Sequence, residues 1–311
     1  NTLDMIGPAP QLPATLGATV PKVNNADMKA WGFEVEVSWR DRIKDFNYGV
    51  KFVLSDDQRK VTRYPNEELN RNQWYAGRMD GLVWGYETVG IAKTDAEMEA
   101  HLASLPNGGQ SQLGSKWAAG DIMYKDLNGD GKISSGDGTL NDLGDLKVVA
   151  NTQLRFKYGL TLDASWKGFD FSAFFQGVGK RDVVVGGPYF WGANGQGMWQ
   201  AAAFKDHMDY FRPEDTESVF GPNVDAYYPR VIFGGGSSEG GKNTLTQSRY
   251  VQNGAYIRLK NLQLGYTLPS TITKKFAVNS LRVYVSGDNL WTGTKTVSYT
   301  HLRAHETPEH L

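Results

Sequence analysis

Asp126, Asn128, Asp130, Lys132 and Asp137 carry the most pointed chemistry in the chain, because they fall at positions one, three, five, seven and twelve of the segment DLNGDGKISSGD. That is the spacing of an EF-hand-type calcium loop, in which carboxylates, an amide and a backbone carbonyl surround one ion as hard oxygen donors. Gly131 stands at position six, where such a loop turns sharply, Lys132 offers its carbonyl, and Ser134 takes the place often served through water. The twelfth residue is Asp rather than Glu, which shortens its bidentate reach and lowers the expected affinity. No long helix flanks the loop, so a structural Ca2+ pinning a surface loop is expected rather than a switch. The competing reading is an Asp/Asn/Gly turn with no metal.

Other constellations carry less. Asp209, Glu214, Asp215 and Glu217 have no spacing that fixes two carboxylates across a sugar, and they read as a solvated acidic loop. His207 has no nucleophile pattern around it, and Gly234 to Gly236 lack the Lys and Ser/Thr tail of a phosphate loop. No catalytic residue is assigned, no catalytic cofactor is expected, and the chain is not read as an enzyme. Five rings in one long irregular stretch, Trp191, Trp199, Tyr210, Tyr227 and Tyr228, admit two readings. They stack on sugar faces at a channel mouth, or they pack a folded external loop. Three of the five histidines, His301, His305 and His310, fall in the last segment, VSYTHLRAHETPEHL. That string resembles a translated sequencing adaptor, so residues 297–311 are expected to be an artefact and its histidines not a metal site.

The elements that must position these groups are strands. Ser248 to Pro269 reads as one long strand in which Ile257 and Leu259 lie on one face while Leu262, Leu264, Tyr266 and Leu268 fall on the other. The phase slips near Asn261, and one extra residue there, as a β-bulge, would let a single apolar face run on. A pair of ordinary strands with a tight join at Asn261 is the alternative. Leu154 to Trp166 alternates strictly, with Phe156, Tyr158, Leu160, Leu162, Ala164 and Trp166 against Arg155, Lys157, Gly159, Thr161, Asp163 and Ser165. Phe169 to Gly177 follows after Lys167-Gly168, and Trp31 to Trp39 and Phe46 to Leu54 form a second hairpin across Arg40 to Lys44. Leu281, Val283 and Val285 mark a final strand.

Between the strands lie Asn1 to Asn25, read as a proline-rich loop, and Asp56 to Asp80, read as an exposed connection. GLVWGYETVG, from Gly81, reads as a brief aromatic strand, and Thr94 reads as the N-cap of a short helix ended by PNGG. Met198 to Phe211 is expected to be a short helix closed by Pro213, and GGGSSEGG a flexible tip.

Composition narrows the class. A formal net charge of −1 over 311 residues gives no electrostatic case for nucleic acid. The absence of cysteine excludes a disulfide scaffold. No apolar run is long enough for a membrane-spanning helix, whereas a mean hydropathy of −0.46 is compatible with membrane strands, whose faces alternate. Asn1 to Thr19 lacks a basic start followed by an apolar core, and the chain is expected to begin in mid-protein. Strands of this length, apolar on one face and polar on the other, suit the wall of a large barrel better than a small sandwich.

Several stretches together carry a family resemblance. PATLGATVPK from Pro13, GFEVEVSW from Gly32, GLVWGYETVG from Gly81 and GDIMYKDLNGDGKI from Gly120 are joined by SWKGFDFSAFFQGVGKRD from Ser165, AYYPR from Ala226, RYVQNGAYIRLKNLQLGYTLP from Arg249 and LRVYVSGDNLWT from Leu281. Over nearly all of residues 1–296 the chain resembles the C-terminal part of the SusC/RagA group of TonB-linked outer-membrane receptors of Bacteroidetes. The resemblance implies an all-β fold, part of a large antiparallel transmembrane β-barrel of about 22 strands, incomplete here. It implies import of glycans, or of peptides in some members, with a SusD-like surface lipoprotein. Energy would come from the TonB–ExbB–ExbD system through an upstream region, and outer-membrane lipid would surround the wall. The calcium-like loop and the long aromatic stretch would then lie on the outer face. The alternative is a secreted, calcium-stabilised β-rich protein that binds or degrades carbohydrate.

Overall fold

Seven antiparallel strands hydrogen-bond side by side in the computed structural model, which describes residues 1–9, 15, 17, 20–194, 203–233 and 238–296. In spatial order they are β1 (Thr2–Ile6), β2 (Asn24–Ile43), β3 (Phe46–Arg63), β8 (Arg155–Trp166), β9 (Phe169–Lys180), β12 (Tyr256–Thr267) and β13 (Arg282–Thr294). Three smaller two-stranded pieces join β4 (Leu82–Tyr86) to β7 (Leu146–Asn151), β5 (Thr88–Ile91) to β6 (Ile122–Tyr124), and β10 (Asp182–Val184) to β11 (Val251–Asn253). The all-β reading stands; the described sheet is open, not a closed barrel.

Register turns the alternation of single strands into two faces of a sheet. Val37, Phe52, Leu160, Phe175, Leu259 and Trp291 face one another in sequence across six strands. A row on the other face runs Arg40, Gly49, Asp163, Ser172, Gln263 and Ser286. Side chains of one pleat face share a surface, so the first row is greasy and the second polar across its whole width. The apolar face stays open among the described residues: Val37, Trp39, Phe46, Trp166, Phe169, Leu264 and Val285 are all exposed.

The phase slip near Asn261 is a bulge. Leu259 pairs with Phe175 and Asn261 with Phe174, so Lys260 is an extra residue relative to β9. Leu259 and Leu262 thereby land on the same face, opposite Phe175 and Ala173. On the other flank β13 has the surplus, near Asn289, which sits at φ 53°.

Connection lengths are strongly asymmetric. At one end, Lys44-Asp45 joins β2 to β3, Lys167-Gly168 joins β8 to β9, and residues 268–281, with two short helical turns, join β12 to β13. Lys167 and Gly168 adopt φ values of 47° and 92°, the type I′ geometry that matches the twist of a hairpin. At the other end residues 64–154 link β3 to β8 and residues 181–255 link β9 to β12. The buried core lies in these two connections, around Tyr86, Ile122, Tyr124, Ile133, Phe211 and Tyr250, and not beneath the sheet.

Several expectations change. The first 25 residues are not all loop: β1 pairs with Asn24, Ala26 and Met28, and Arg63 fastens it by reaching Asp4 (2.6 Å) and Asp27 (2.7 Å). The connection after β3 starts later than Asp56, because β3 continues to Arg63; above Ser55 it leaves β8 and pairs with β2 on one side and, around Lys60, with Met79 on the other. Ser248 to Pro269 is not one strand; β11 pairs with β10, and the chain breaks at Gly254-Ala255 before β12. In place of a helix from Met198 to Phe211 there is a 3-10 turn at Lys205–Met208, with residues 198–202 outside the described residues. In the glycine-rich stretch Ser238–Gly241 forms a helical turn, and residues 234–237 lie outside the description. The helix α1 (Asp95–Ala103) begins as expected: the Thr94 hydroxyl accepts from the Glu97 amide (3.1 Å), and Glu97 accepts in return from the Lys93 amide (2.6 Å).

Candidate functional site

The two long connections fold onto each other as a cap over one end of the sheet. Their joint is a buried ionic cluster around Asp121, which lies one residue before β6. Arg230 grips its carboxylate with a two-pronged fork (2.7 and 2.8 Å), Lys242 Nζ sits 2.9 Å away, and Asn243 Nδ2 donates at 2.8 Å. Lys242 also pairs with Glu239 (3.2 Å), donates to the Lys116 carbonyl, and lies 4.4 Å from the centre of the Trp117 ring. Two anions thus meet two cations, and no net charge is left in a site where an unpaired one would be costly. Beside them Tyr124 donates to the Lys242 carbonyl (2.6 Å), and Gln247 donates to the Asn243 carbonyl (2.9 Å). None of this set was singled out from sequence. Its members lie far apart in the chain, and a lone Lys or Asp carries no mark of its partner.

The calcium-like segment folds as a closed loop on the flank of the cap. Asp126, at position one, accepts from the amides of Gly129 (2.6 Å) and Gly131 (2.9 Å), and Gly131 adopts φ 76°, the left-handed turn that position six demands. Asn128 accepts from the Asp130 amide (3.0 Å), and Asp130 from the Lys132 amide (3.1 Å). Ile133 is wholly buried and anchors the loop, with its amide donating to the Gly109 carbonyl (2.7 Å). Asp137 accepts from the Thr139 amide (2.7 Å), and its hydrogen bonds with Thr139 hold its carboxyl below the usual value.

A residue outside the motif completes the picture. Asp145 is wholly buried and accepts from the amides of Leu127 and Ser134, both at 2.7 Å. Burial raises its carboxyl above the usual range; the two amides oppose that shift, and the charges of Asp126 and Asp130 add to it. Asp126 is pushed up by burial too, but the Gly131 and Gly129 amides outweigh this and leave it lowered. Each carboxylate oxygen that accepts one amide keeps a second lone pair. Among the described residues, no three acidic or histidine side chains converge closely enough to hold a metal ion by themselves. A cation here would depend on the Asn128 amide and the Lys132 carbonyl as well.

Of the five rings read as candidate substrate contacts, Trp191 (6% exposed) and Tyr228 (3%) are core residues. The Trp191 ring meets Tyr250 edge-on with centroids 4.7 Å apart, and Tyr228 meets Tyr227 at 5.0 Å. Their faces are covered by other rings, which is the loop-packing arrangement. Tyr227 and Tyr210 are half-buried, and the Arg212 guanidinium lies 4.7 Å from the Tyr210 ring centre. Trp199 lies outside the described residues.

No protein-family model matches the chain. Among curated proteins it is similar to TonB-dependent receptor P3 of Formosa agariphila, with 27% identity over 308 residues, covering 94% of this chain and 27% of that protein. TonB-dependent receptor P26 of the same organism is 26% identical over 299 residues, 88% of this chain and 26% of that protein. The chain therefore spans about a quarter of the length of the curated relatives it matches, and it is homologous to them at low identity. Among solved structures it resembles a chain of the RagAB peptide transporter, with a TM-score of 0.62 and 20% identity over 96% of this chain and 29% of that one. The RagAB peptide importer in its open-open state gives a TM-score of 0.61 at 20% identity, over 96% of this chain and 28% of that one. The shared fold is a partial, strand-rich piece of a RagA-like chain.

Proposed function

We infer that residues 1–296 form a C-terminal part of the barrel of a TonB-dependent outer-membrane importer of the SusC/RagA kind, with the cap on the cell's outer face. The observation that carries this reading is the sheet itself: six strands in register with one apolar and one polar face, connections of at most 14 residues (268–281) at one end and the two much longer ones at the other. Membrane barrels have this division, with lipid outside, water inside, and the long loops extracellular. A membrane strand needs about 9–11 residues. The overlap of β3 with β8, from Phe46 to Ser55, fits that length, and on this reading the upper part of the β2–β3 hairpin would extend beyond the bilayer.

The relatives are receptors and an importer rather than enzymes, and no catalysis is assigned to the chain. Its part in the whole protein is to wall the path and carry the outer cap. Energy would reach the whole protein from TonB–ExbB–ExbD through other regions. A SusD-like lipoprotein would close the path from outside, and the cargo would be a glycan or a peptide. Calcium at Asp126, Asn128, Asp130, Lys132 and Asp137, with Asp145 behind them, would stiffen one edge of the cap. It would have no part in chemistry. Residues 297–311, proposed to be an adaptor artefact, lie outside the described residues.

Paired arginine substitutions in a full-length receptor carrying this segment test the reading. Leu162→Arg on the apolar face should cost about 2–4 kcal/mol of stability in a bilayer near its midplane and lower outer-membrane recovery on fractionation. Thr161→Arg on the polar face should be recovered normally. Equal recovery of both, or free solubility of the wild type without detergent, would overturn the barrel in favour of a secreted β-rich protein.

A further inference from the structure

The most exposed large apolar side chain among the described residues is Val219, at 93%, and its neighbour Phe220 is 60% exposed. They are not part of the sheet. Both sit at the apex of a turn in which the Gly221 amide donates to the Ser218 carbonyl (2.9 Å), with Gly221 at φ 67°. The loop below the turn is closed at its neck by reciprocal backbone hydrogen bonds between Arg212 and Asn223 (3.1 and 2.9 Å). Arg212 Nε donates up the loop to the Gly221 carbonyl (2.6 Å), and Asn223 Nδ2 donates down to Asp209 (2.9 Å). Immediately below the neck Phe211 is buried in the cap core, with its amide bonded to the Tyr228 carbonyl (3.0 Å). The loop is a finger fixed at its root and braced along its length.

Charge defines what such a finger fits. Glu214, Asp215 and Glu217 are exposed around the apex pair, and none of them forms an ion pair among the described residues. The finger's one cation, Arg212, is turned inward at the neck. An anionic lipid surface would repel three free carboxylates, and a bare apolar pair in water gains nothing. An aromatic anchor beside an aliphatic one, ringed by charge of one sign and held in advance in its bound shape, is the anatomy of a protein-binding hot spot.

We propose that the 212–223 finger docks the importer's surface partner, with Val219 and Phe220 entering an apolar recess whose rim carries lysine or arginine. The proposal rests on the importer reading and adds to it the place and chemistry of the contact. The rim charges steer the encounter, and the apex pair sets how long the complex lasts.

The test uses the full-length receptor, purified in detergent with the lipoprotein that accompanies it. Val219→Ser combined with Phe220→Ser should weaken retention of that lipoprotein by about tenfold or more. Changing Glu214, Asp215 and Glu217 together to Lys should slow association and reverse its salt dependence. A benzophenone side chain in place of Phe220 should form an adduct with the lipoprotein, at an apolar site bordered by Lys or Arg when mapped by mass spectrometry. An adduct confined to the receptor's own chain, or none, overturns the finger, as does unchanged retention by the double variant. A wild-type receptor that retains no lipoprotein overturns the partner itself, a different result from a wild type that holds its partner while the variants hold it equally well.

Discussion

Lys242 Nζ and Asp121 Oδ2 meet at 2.9 Å with both side chains wholly removed from water, although each belongs to a different long connection. Pairs of this kind add little net stability compared with apolar replacements, because desolvating two ions offsets most of their attraction. What they enforce is mutual dependence, since either ion left alone in the same place is strongly unfavourable. The cap is therefore one cooperative object and not two loops that happen to touch.

Lys242→Met should destabilise the cap by about 3–5 kcal/mol, by leaving the buried Asp121 with Arg230 as its one cationic partner and taking from Glu239 its partner Lys242. Adding Asp121→Asn should recover part of that loss, so the two effects fall well short of their sum. Hydrogen exchange of β6 in the full-length protein reads both, while exchange of β8 and β9 should stay unchanged.

Gly120→Ala should loosen the same joint from the backbone side. Gly120 sits at φ 85°, and a methyl group there would come within 2.3 Å of the Phe211 ring and 2.8 Å of Arg230. Strain and overlap act together, so the cost should exceed about 1 kcal/mol. A drop in thermal stability with Phe211 newly open to solvent would bear this out, and a neutral outcome would contradict the packing described.

The acidic loop should respond to pH and calcium together. Burial raises the Asp145 carboxyl, so the fold favours its protonated form. That stabilisation is present at low pH and is lost as pH climbs from the unfolded value, about 3.9, through the raised folded one. A cation would offset the loss only where the carboxylate is charged. Calcium at about 1 mM should therefore slow exchange across residues 126–145 more at pH 7 than at pH 4, where the lowered Asp126 and Asp137 carboxyls stay charged but the raised Asp145 carboxyl is protonated. Identical exchange with and without calcium at pH 7 would end the calcium reading.

Trp191→Ala should behave as a core lesion. Removing a buried ring of this size costs about 3–5 kcal/mol, and the loss should appear as lower stability whatever cargo is offered. Tyr210→Ala, at a half-buried position, is the sharper probe of cargo contact. Selective loss of uptake from the Trp191 variant, with stability intact, would show its ring reaching the path after all.

Sequence periodicity made the sheet legible because strands with one apolar and one polar face repeat with period two. Phe156 to Trp166 shows that repeat without a break, and the slip at Lys260 disclosed a bulge because one displaced residue reverses every later side chain. Thr94 and Glu97 were legible for a local reason, since the cap hydroxyl and the amide it accepts from lie within one turn. Contacts made at a distance left no such trace. β1 is held by Arg63, far along the chain, and the break at Gly254-Ala255 follows from β11 finding β10. Asp145 could have been suspected from its carboxylate just beyond the acidic motif, but nothing in the spacing said that it would fold back under Leu127 and Ser134. The aromatic stretch advertised rings without saying which faces would be covered.

The interlocking of the two connections also sets an order of events in time. A chain is made from its N-terminus, so Asp121 exists before Lys242, Asn243 and Gln247 have been synthesised. The earlier half of the cap cannot satisfy its buried carboxylate until the later half arrives, and closing so wide a gap is slow. The earlier half of the cap should therefore mature only after the later half docks, leaving a window in which it depends on chaperones and is open to proteases.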